Sequence, residues 1–258
     1  MNVEYLYENY DVHTWIKYNP HEMHYCLYRP GEIAAGFKIV DVYHAFCHGR
    51  ACLSDMEVDN YGQLISKHDD LHLTYIRARF LMDALAFYNY CIDLSWQVVW
   101  VYYIEDKYEI INDEKEFLRA MNRCKLPELS YELTLLRKIK IRDHIVGFFD
   151  MHLTKLIREK YNYIKHRGTF YFEGLGRNSK RFSITVDNFA PKMLSREEWD
   201  INEWKSKLME FDIAFKRYFD SIIRFIMPSG YKDETFDMFA LSSYHTYLKN
   251  NFVNGLEA

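Results

Sequence analysis

The chain has 258 residues, 49% of them hydrophobic and 27% charged, a composition typical of a globular protein that can bury a sizeable core. The formal net charge of −4 argues against a protein that coats nucleic acid non-specifically, although it leaves room for a local basic groove. The five cysteines form no CxxC pair and favour free thiols in a reducing compartment, so we expect a cytoplasmic protein.

Glycine (10) and proline (5) are scarce, which favours long helices over many short strands. Residues 1–31 are aromatic and irregular in pattern, and the sequence predicts a first helix over Glu32 to Ser54. A second, long helix is expected to begin at Asp69 and Asp70, whose carboxylates suit a helix N-terminus, and to end near Tyr103. Its apolar second half contains polar residues that a membrane span would tolerate badly, so we expect a buried helix and no membrane partner.

Further helices are predicted in the second half of the chain. One is expected from Asn112–Asp113 to the residue before Pro127. Two more are expected before Gly168, with a break near Arg142 and with Asp143 as the cap of the second.

After Gly168 the pattern changes. Two β-like runs, Thr169–Phe172 and Arg181–Val186, predict a small β-hairpin or an ordered loop near 169–190. A capping box with Ser195 and Glu198 is then expected to start a long amphipathic helix that ends before Pro228. A last helix is expected over Glu234 to Asn250.

These elements predict an all-α fold, a multi-helix bundle within a single domain over 1–258. The helix predicted over 32–54 makes residues 1–68 an N-terminal helical extension, and residues 229–258 hold the C-terminal helix. No internal repeat interrupts this pattern.

One helix face combines residue types that bind metals. The residues share that face at a spacing of i, i+3, i+4 and i+8, and they are His44, Cys47, His48 and Cys52. One helix cannot wrap four ligands tetrahedrally around one ion. We therefore favour a core face over a metal site, and we expect no metal and no cofactor.

A polar line runs along the most apolar helix at i, i+4 and i+8, formed by Asn89, Asp93 and Gln97. Buried polar groups need partners, so other polar groups are expected to face this line. Two interpretations stay open: a hydrogen-bond network between helices, or the lining of a functional site, including that of a small-molecule enzyme.

The helix predicted to end at Gly168 carries a histidine between two cations in its last turn. Asn162 lies one turn before His166, close enough for the amide to reach the imidazole, and Lys165 and Arg167 flank the ring. A basic C-terminal turn followed by glycine is what helix physics alone favours. An imidazole beside fixed cations also suits metal-independent phosphodiester cleavage, in which it moves a proton while a cation stabilises the phosphate.

The segment YNYIKHRG, at the end of a long helix in an all-α chain, resembles the motif of the HEPN superfamily. That motif consists of an arginine, a polar residue and, a few residues on, a histidine. Asn162 and His166 match the last two by position, whereas Tyr161 stands where the arginine normally lies. Arg158, one turn earlier, or Arg167 is a candidate substitute for that arginine.

The resemblance covers roughly residues 69–228 and implies a helical bundle, usually paired in a homodimer. It implies an RNA- or nucleotide-binding protein, or a metal-independent endoribonuclease with His166 as the acid–base residue and Asn162 orienting it. Phosphate contacts are expected from Lys165, Arg167, Arg158, Arg177, Lys180 and Arg181. Aromatic residues near the motif could stack on bases, namely Tyr161, Tyr163, Phe170 and Tyr171. The alternative is a catalytically inactive HEPN-like homodimer that serves a structural or partner-binding role.

Overall fold

The computed structural model describes residues 2–168, 170–172, 175, 187, 197–232 and 237–249. Regular structure in these ranges is almost entirely helical, which confirms the predicted all-α, multi-helix fold. The α-helices are α1 (Glu4–Asn9), α2 (Glu22–Leu27), α3 (Pro30–Asp55), α4 (Asp70–Tyr103), α5 (Glu109–Asn112), α6 (Glu114–Arg123), α7 (Leu126–Leu135), α8 (Ile139–Asp150), α9 (His152–Arg167), α10 (Ile201–Ile226) and α11 (Met238–Leu248). Short 3₁₀ helices cover His13–Tyr18 and Gly62–Leu64.

The N-terminal segment is more regular than its sequence pattern indicates. Residues predicted as irregular form α1, the first 3₁₀ helix and α2. Leu6, Trp15 and Met23 are buried there. Helices this short are unstable alone, so burial of these side chains, rather than local propensity, holds them.

The two long helices α3 and α4 confirm the predictions for residues 32–54 and 69–103. Asp69 caps α4 as expected, because its Oδ1 accepts a hydrogen bond from the backbone N–H of His72 at 2.9 Å. This bond, together with one from the His72 ring, holds the pKa of Asp69 below its usual value. Among the described residues, no helix combines the length and the apolar character needed to span a bilayer.

The helix break predicted near Arg142 is wrong. The chain instead breaks between α7 and α8, where Arg137 has a φ of +56°. The N–H of Lys138 donates to the carbonyl of Leu133 at 2.8 Å, and that of Arg137 donates to Thr134 at 3.1 Å. This is a Schellman motif, which satisfies carbonyls at the helix end without a glycine.

Asp143 consequently lies inside α8 and caps nothing; its carboxylate accepts a hydrogen bond from Arg142 Nε at 2.9 Å. A second break at Met151 separates α8 from α9. The apolar stripe of this region is therefore divided between two helices.

The short strand β1 (Tyr171–Phe172) pairs in parallel with β2 (Glu198–Trp199), so this pair is not a hairpin. The second predicted β-like run, Arg181–Val186, lies outside the described residues. The capping box is wrong because Glu198 belongs to β2. Asp200 performs this function instead: its Oδ1 accepts from the backbone N–H of Glu203 at 2.6 Å. The helix α10 then ends before Pro228, as predicted.

The contacts between residues divide the chain into two compact units, each built from three separate segments. Unit 1 comprises residues 1–10, 45–90 and 150–214, and unit 2 comprises residues 11–44, 91–149 and 215–258. Four of the five boundaries between the units fall inside helices, namely α3, α4, α8 and α10, and the fifth follows Tyr10. The proposed division into a core at 69–228 with terminal extensions stays a prediction.

Aromatic stacking dominates the described core of unit 1. Tyr163, Phe170, Trp199 and Trp204 form one continuous stack, with centroid distances of 5.0, 3.6 and 3.7 Å between successive rings. Phe170, Trp199 and Trp204 are buried. Because α9, the residue just before β1, β2 and α10 each contribute a ring, this stack fixes the segment that follows α9 against the start of α10.

Unit 2 also packs by rings. Phe148 of α8 lies parallel to Tyr218 of α10, with centroids 3.8 Å apart. Trp15 packs edge-on against Phe219 and donates its indole N–H to Asp220 at 2.9 Å. Trp15 is therefore a buried ring whose polar atom has a partner, which fixes its position in the core of this unit.

Candidate functional site at the end of α9

The last turn of α9 is built as the sequence predicts. Lys165, His166 and Arg167 occupy it, and Gly168 follows as the C-terminal cap with a φ of +107°. That backbone conformation favours glycine, since a side chain there would be strained. Three positive or titratable groups at a helix C-terminus also suit the negative end of the helix dipole.

The predicted catalytic residues lie on the solvent side of α9. Thr154 and Ile157 bury the opposite face of the helix, while Asn162 and His166 are exposed. A buried imidazole would have contradicted a catalytic role. The imidazole of His166 is accessible to a ligand from solvent.

The basic turn carries cations that are free to bind a ligand. Within the described part of the chain, Lys165, His166 and Arg167 form no ion pair and no hydrogen bond through their side chains. Other cations of α9 are engaged: Lys155 pairs with Asp150 at 2.8 Å, and Lys160 pairs with Glu197 at 2.8 Å. Positive charge available to an anion is therefore concentrated at the end of the helix.

Two details of the predicted motif differ from expectation. No hydrogen bond joins Asn162 to His166 among the described side chains, although the two share one helix face. Arg158 is half-buried and interacts with neighbouring groups, so it is less available to a ligand than Lys165 or Arg167. The remaining predicted phosphate contacts, Arg177, Lys180 and Arg181, lie outside the described residues.

Tyr161, which stands in the place of the motif arginine, packs within unit 1. Its hydroxyl lies 3.4 Å from that of Tyr90, and the two rings meet edge to face with centroids 5.7 Å apart. Tyr90 in turn contacts Phe87, whose ring lies 4.9 Å from that of His48. A tyrosine here joins α9 to α4 by aromatic contacts and supplies no positive charge.

The expectation that Phe170 stacks on a base is wrong, because its two faces are covered by Tyr163 and Trp199. Tyr163 is half-buried and also belongs to the stack. Tyr171, the next ring along the chain, is half-buried.

The polar line on α4 crosses from one unit to the other. Asn89 is buried and belongs to unit 1, whereas Asp93 and Gln97 are half-buried and belong to unit 2. Asn89 and Asp93 both interact with neighbouring groups. The hydrogen-bond network and the lining of a functional site both stay predictions.

The face of α3 with two histidines and two cysteines is half-buried at Cys47 and Cys52 and exposed at His44 and His48. Burial, and then the charge of Asp83, raises the pKa of Cys52 to about 11, so this thiol stays protonated near neutral pH. Within the described ranges, no group of three or more His, Cys, Asp or Glu side chains is arranged to hold a metal ion.

A buried charge cluster in unit 1 was not predicted from the sequence. The Arg50 guanidinium donates two hydrogen bonds to the Asp212 carboxylate, at 3.0 and 2.6 Å, and Tyr88 donates a third at 2.8 Å. Arg50 also donates to the carbonyl of Tyr10 at 3.0 Å. Asp212 is completely buried. One sequence feature could have indicated this cluster: the acidic Asp212 lies one turn after Leu208 on the apolar face of α10.

Cavities open on the described surface of both units. Two adjoin in unit 1, with volumes of about 330 and 430 Å³, between the first turns of α4 and the segment of β1. Another, of about 700 Å³, lies in unit 2 between α2 and α11. None of these is lined by His166 or Asn162.

His21 lines the unit 2 cavity and is bonded to the buried His24 behind it. His24 donates from Nε2 to the carbonyl of Tyr231 at 2.7 Å, and its Nδ1 accepts from the backbone N–H of His21 at 2.9 Å. Burial lowers the pKa of His24, although these two hydrogen bonds act to raise it. With both ring nitrogens engaged, this imidazole is structural.

Comparison with protein-family models, curated proteins and solved structures finds no match to this chain.

Proposed function

We propose that the protein is a divergent HEPN-like domain that binds single-stranded RNA at the end of α9 and cleaves it without a metal ion. The observation that carries this proposal is the exposed His166 between Lys165 and Arg167, two cations that pair with no side chain in the described ranges. Free cations at an accessible turn suit phosphate, and an accessible imidazole suits proton transfer.

In the proposed cleavage reaction, the imidazole and the two cations have separate roles. A neutral His166 imidazole takes the proton of the 2′-hydroxyl, whose oxygen attacks the adjacent phosphorus. The bond to the 5′-oxygen breaks, and that oxygen takes a proton from an acid. Lys165 and Arg167 stabilise the charge that develops on the phosphate.

One histidine supplies either the base or the acid at a given moment. A homodimer, as the resemblance to the HEPN superfamily implies, would bring a second His166 for the other role. Asn162 would orient the imidazole once RNA is bound, because hydrogen bonds in an empty catalytic site are often long or unmade.

The test compares RNA cleavage in the presence of EDTA by the wild type and two histidine variants. We expect His166→Ala to lower the rate about 10²- to 10⁴-fold, the usual contribution of acid–base catalysis. His152→Ala is the matched control, since His152 is exposed at the other end of the same helix. Equal rates for the two variants would overturn the catalytic proposal.

Binding is measured separately with an uncleavable 2′-deoxy analogue. Replacing Lys165 and Arg167 by glutamine removes two phosphate contacts and should make the dependence of affinity on salt shallower by roughly 0.7 for each contact. An unchanged slope would place the RNA elsewhere. Loss of cleavage in His166→Ala with normal binding separates the catalytic role from the binding role.

A further inference from the structure

We infer that the groove formed by the two adjoining unit 1 cavities binds a nucleobase of single-stranded RNA, stacked on Tyr75. This inference rests on the proposed function and extends it from the phosphate to the base. The groove runs between the start of α4 and the segment of β1, and both cavities are lined by Tyr75 and Leu175.

The walls of this groove offer an exposed aromatic ring. The side chain of Tyr75 is 63% exposed, and it has no ring contact with any described residue. Tyr171, on the opposite side, is half-buried. Apolar side chains, among them Met82 and Phe172, complete the lining. An exposed ring beside an apolar groove is the arrangement that stacks on a base.

The groove is also held rigidly. Phe170, which lines it, is fixed between Tyr163 and Trp199 in the aromatic stack of unit 1. The pairing of β1 with β2 anchors Tyr171 at the same place, since its N–H donates to the carbonyl of Glu197 at 2.9 Å. A preformed site loses less conformational entropy on binding than a flexible one does.

The position of the groove along the chain connects it to the basic turn of α9. Tyr171 follows His166 by five residues, so a fully extended backbone would separate them by at most about 18 Å. A base in the groove and a phosphate at Lys165 or Arg167 therefore belong to the same nucleotide or to near neighbours in one strand.

The side chains that border the groove indicate which part of the RNA it binds. Two nitrogen-bearing side chains border it: Arg79, which lies 3.9 Å from Asp83, and His72, whose ring lies 2.6 Å from Asp69. Because each has a carboxylate beside it, the groove is poorly suited to a phosphate. A neutral base is the favoured occupant, and the phosphate is left to Lys165 and Arg167 of α9, which pair with no described side chain.

The experiment measures binding of two short labelled oligonucleotides by fluorescence anisotropy. Both have the same uncleavable backbone, but one carries bases and the other is abasic. We expect Tyr75→Ala to weaken binding of the first about 5- to 150-fold, as loss of one base–aromatic stack does, and to leave the abasic strand unaffected. Tyr75→Phe keeps the ring and should bind like the wild type.

The matched control is Tyr131→Ala, because Tyr131 of α7 is 62% exposed and lies in unit 2. The inference is overturned if Tyr75→Ala behaves like Tyr131→Ala, or if the wild type binds both strands equally. Circular dichroism checks that each variant is folded.

Cleavage assays test base binding at Tyr75 separately from the proposed catalytic role of His166. With natural RNA, Tyr75→Ala should raise KM and leave kcat near the wild-type value, since the base contact lies away from the reacting phosphate. Base-dependent binding without cleavage would support the groove and overturn the catalytic role of His166. Cleavage that depends on His166 but not on Tyr75 would do the reverse.

Discussion

Arg50 and Asp212 form a buried ion pair in the core of unit 1. Both side chains are almost fully buried, and burial of charge is costly unless every charged atom has a partner. Asp212 receives hydrogen bonds from Arg50 and Tyr88, while the Arg50 guanidinium also lies over the rings of Tyr7 and Phe46. Removal of one partner therefore leaves a charge stranded in an apolar core.

We expect Asp212→Ala to lower the free energy of unfolding by about 3–5 kcal/mol, since Arg50 would remain buried without its counter-ion. Glu203→Ala, which breaks the exposed pair with Lys207 on the same helix, should cost less than about 1 kcal/mol. Urea denaturation measures both. Replacing the pair together, by Arg50→Met and Asp212→Leu, should recover much of the loss. A cost for Asp212→Ala no larger than that for Glu203→Ala would contradict this assignment.

Two glycines within helices differ in how closely other atoms pack around them. Gly36 of α3 lies against other backbone, and a Cβ added there would come 2.6 Å from the carbonyl oxygen of Tyr18 and 2.5 Å from the Tyr231 hydroxyl. Gly147 of α8 is exposed, with no atom within 4 Å of such a Cβ. Only the first of these positions requires glycine for space.

Alanine at the two positions should therefore act in opposite directions. Gly36→Ala should destabilise the protein by about 1–3 kcal/mol, because the backbone it meets must move. Gly147→Ala should stabilise it by about 0.5–1 kcal/mol through helix propensity alone. Thermal unfolding compares them directly. A neutral Gly36→Ala would show that α3 does not pack as closely there as described.

The two units are interleaved along the chain, because each is built from three separate segments. Each unit takes residues from the N-terminal 68, and each takes residues from the segment 69–228. Phe46, Arg50 and Leu53 belong to the core of unit 1, and Trp15 and Ile33 to that of unit 2. A contiguous piece of the chain consequently lacks part of both cores.

We expect a fragment of residues 69–228 not to fold on its own. It retains Asp212 without Arg50, a deficit of about 3–5 kcal/mol, where a typical domain is stable by only about 5–15 kcal/mol. It also loses the buried apolar side chains of α3. Circular dichroism melting of the fragment beside the full chain tests this. A cooperative transition at the temperature of the full chain would identify residues 69–228 as an autonomous domain.

Local sequence signals were sufficient for the elements whose ends depend on local chemistry. The bounds of α3 and α4 and the end of α10 follow from the apolar period, from the carboxylate of Asp69 and from Pro228. The end of α9 at Gly168 follows from a positive φ that glycine adopts freely. These causes act within a few residues, so they can be read without knowledge of the fold.

The wrong predictions have two different causes. The break at Arg137 is a Schellman motif, whose hydrogen bonds are local, but it lacks the glycine that usually marks one. The strand β2 forms at Glu198 only because β1, which is distant in sequence, lies beside it.

For the candidate site, the chain order of Asn162, Lys165, His166 and Arg167 was enough to place them in one helical turn. Their exposure, the pairing of Lys160 with Glu197, and the groove at Tyr75 depend on which segments pack together. Residue types and helical spacing are properties of the chain, whereas burial and the partner of each charge arise from segments far apart in sequence. For that reason the residue types of the α9 turn could be predicted from the sequence, whereas the accessibility of its cations and the neighbouring groove could not.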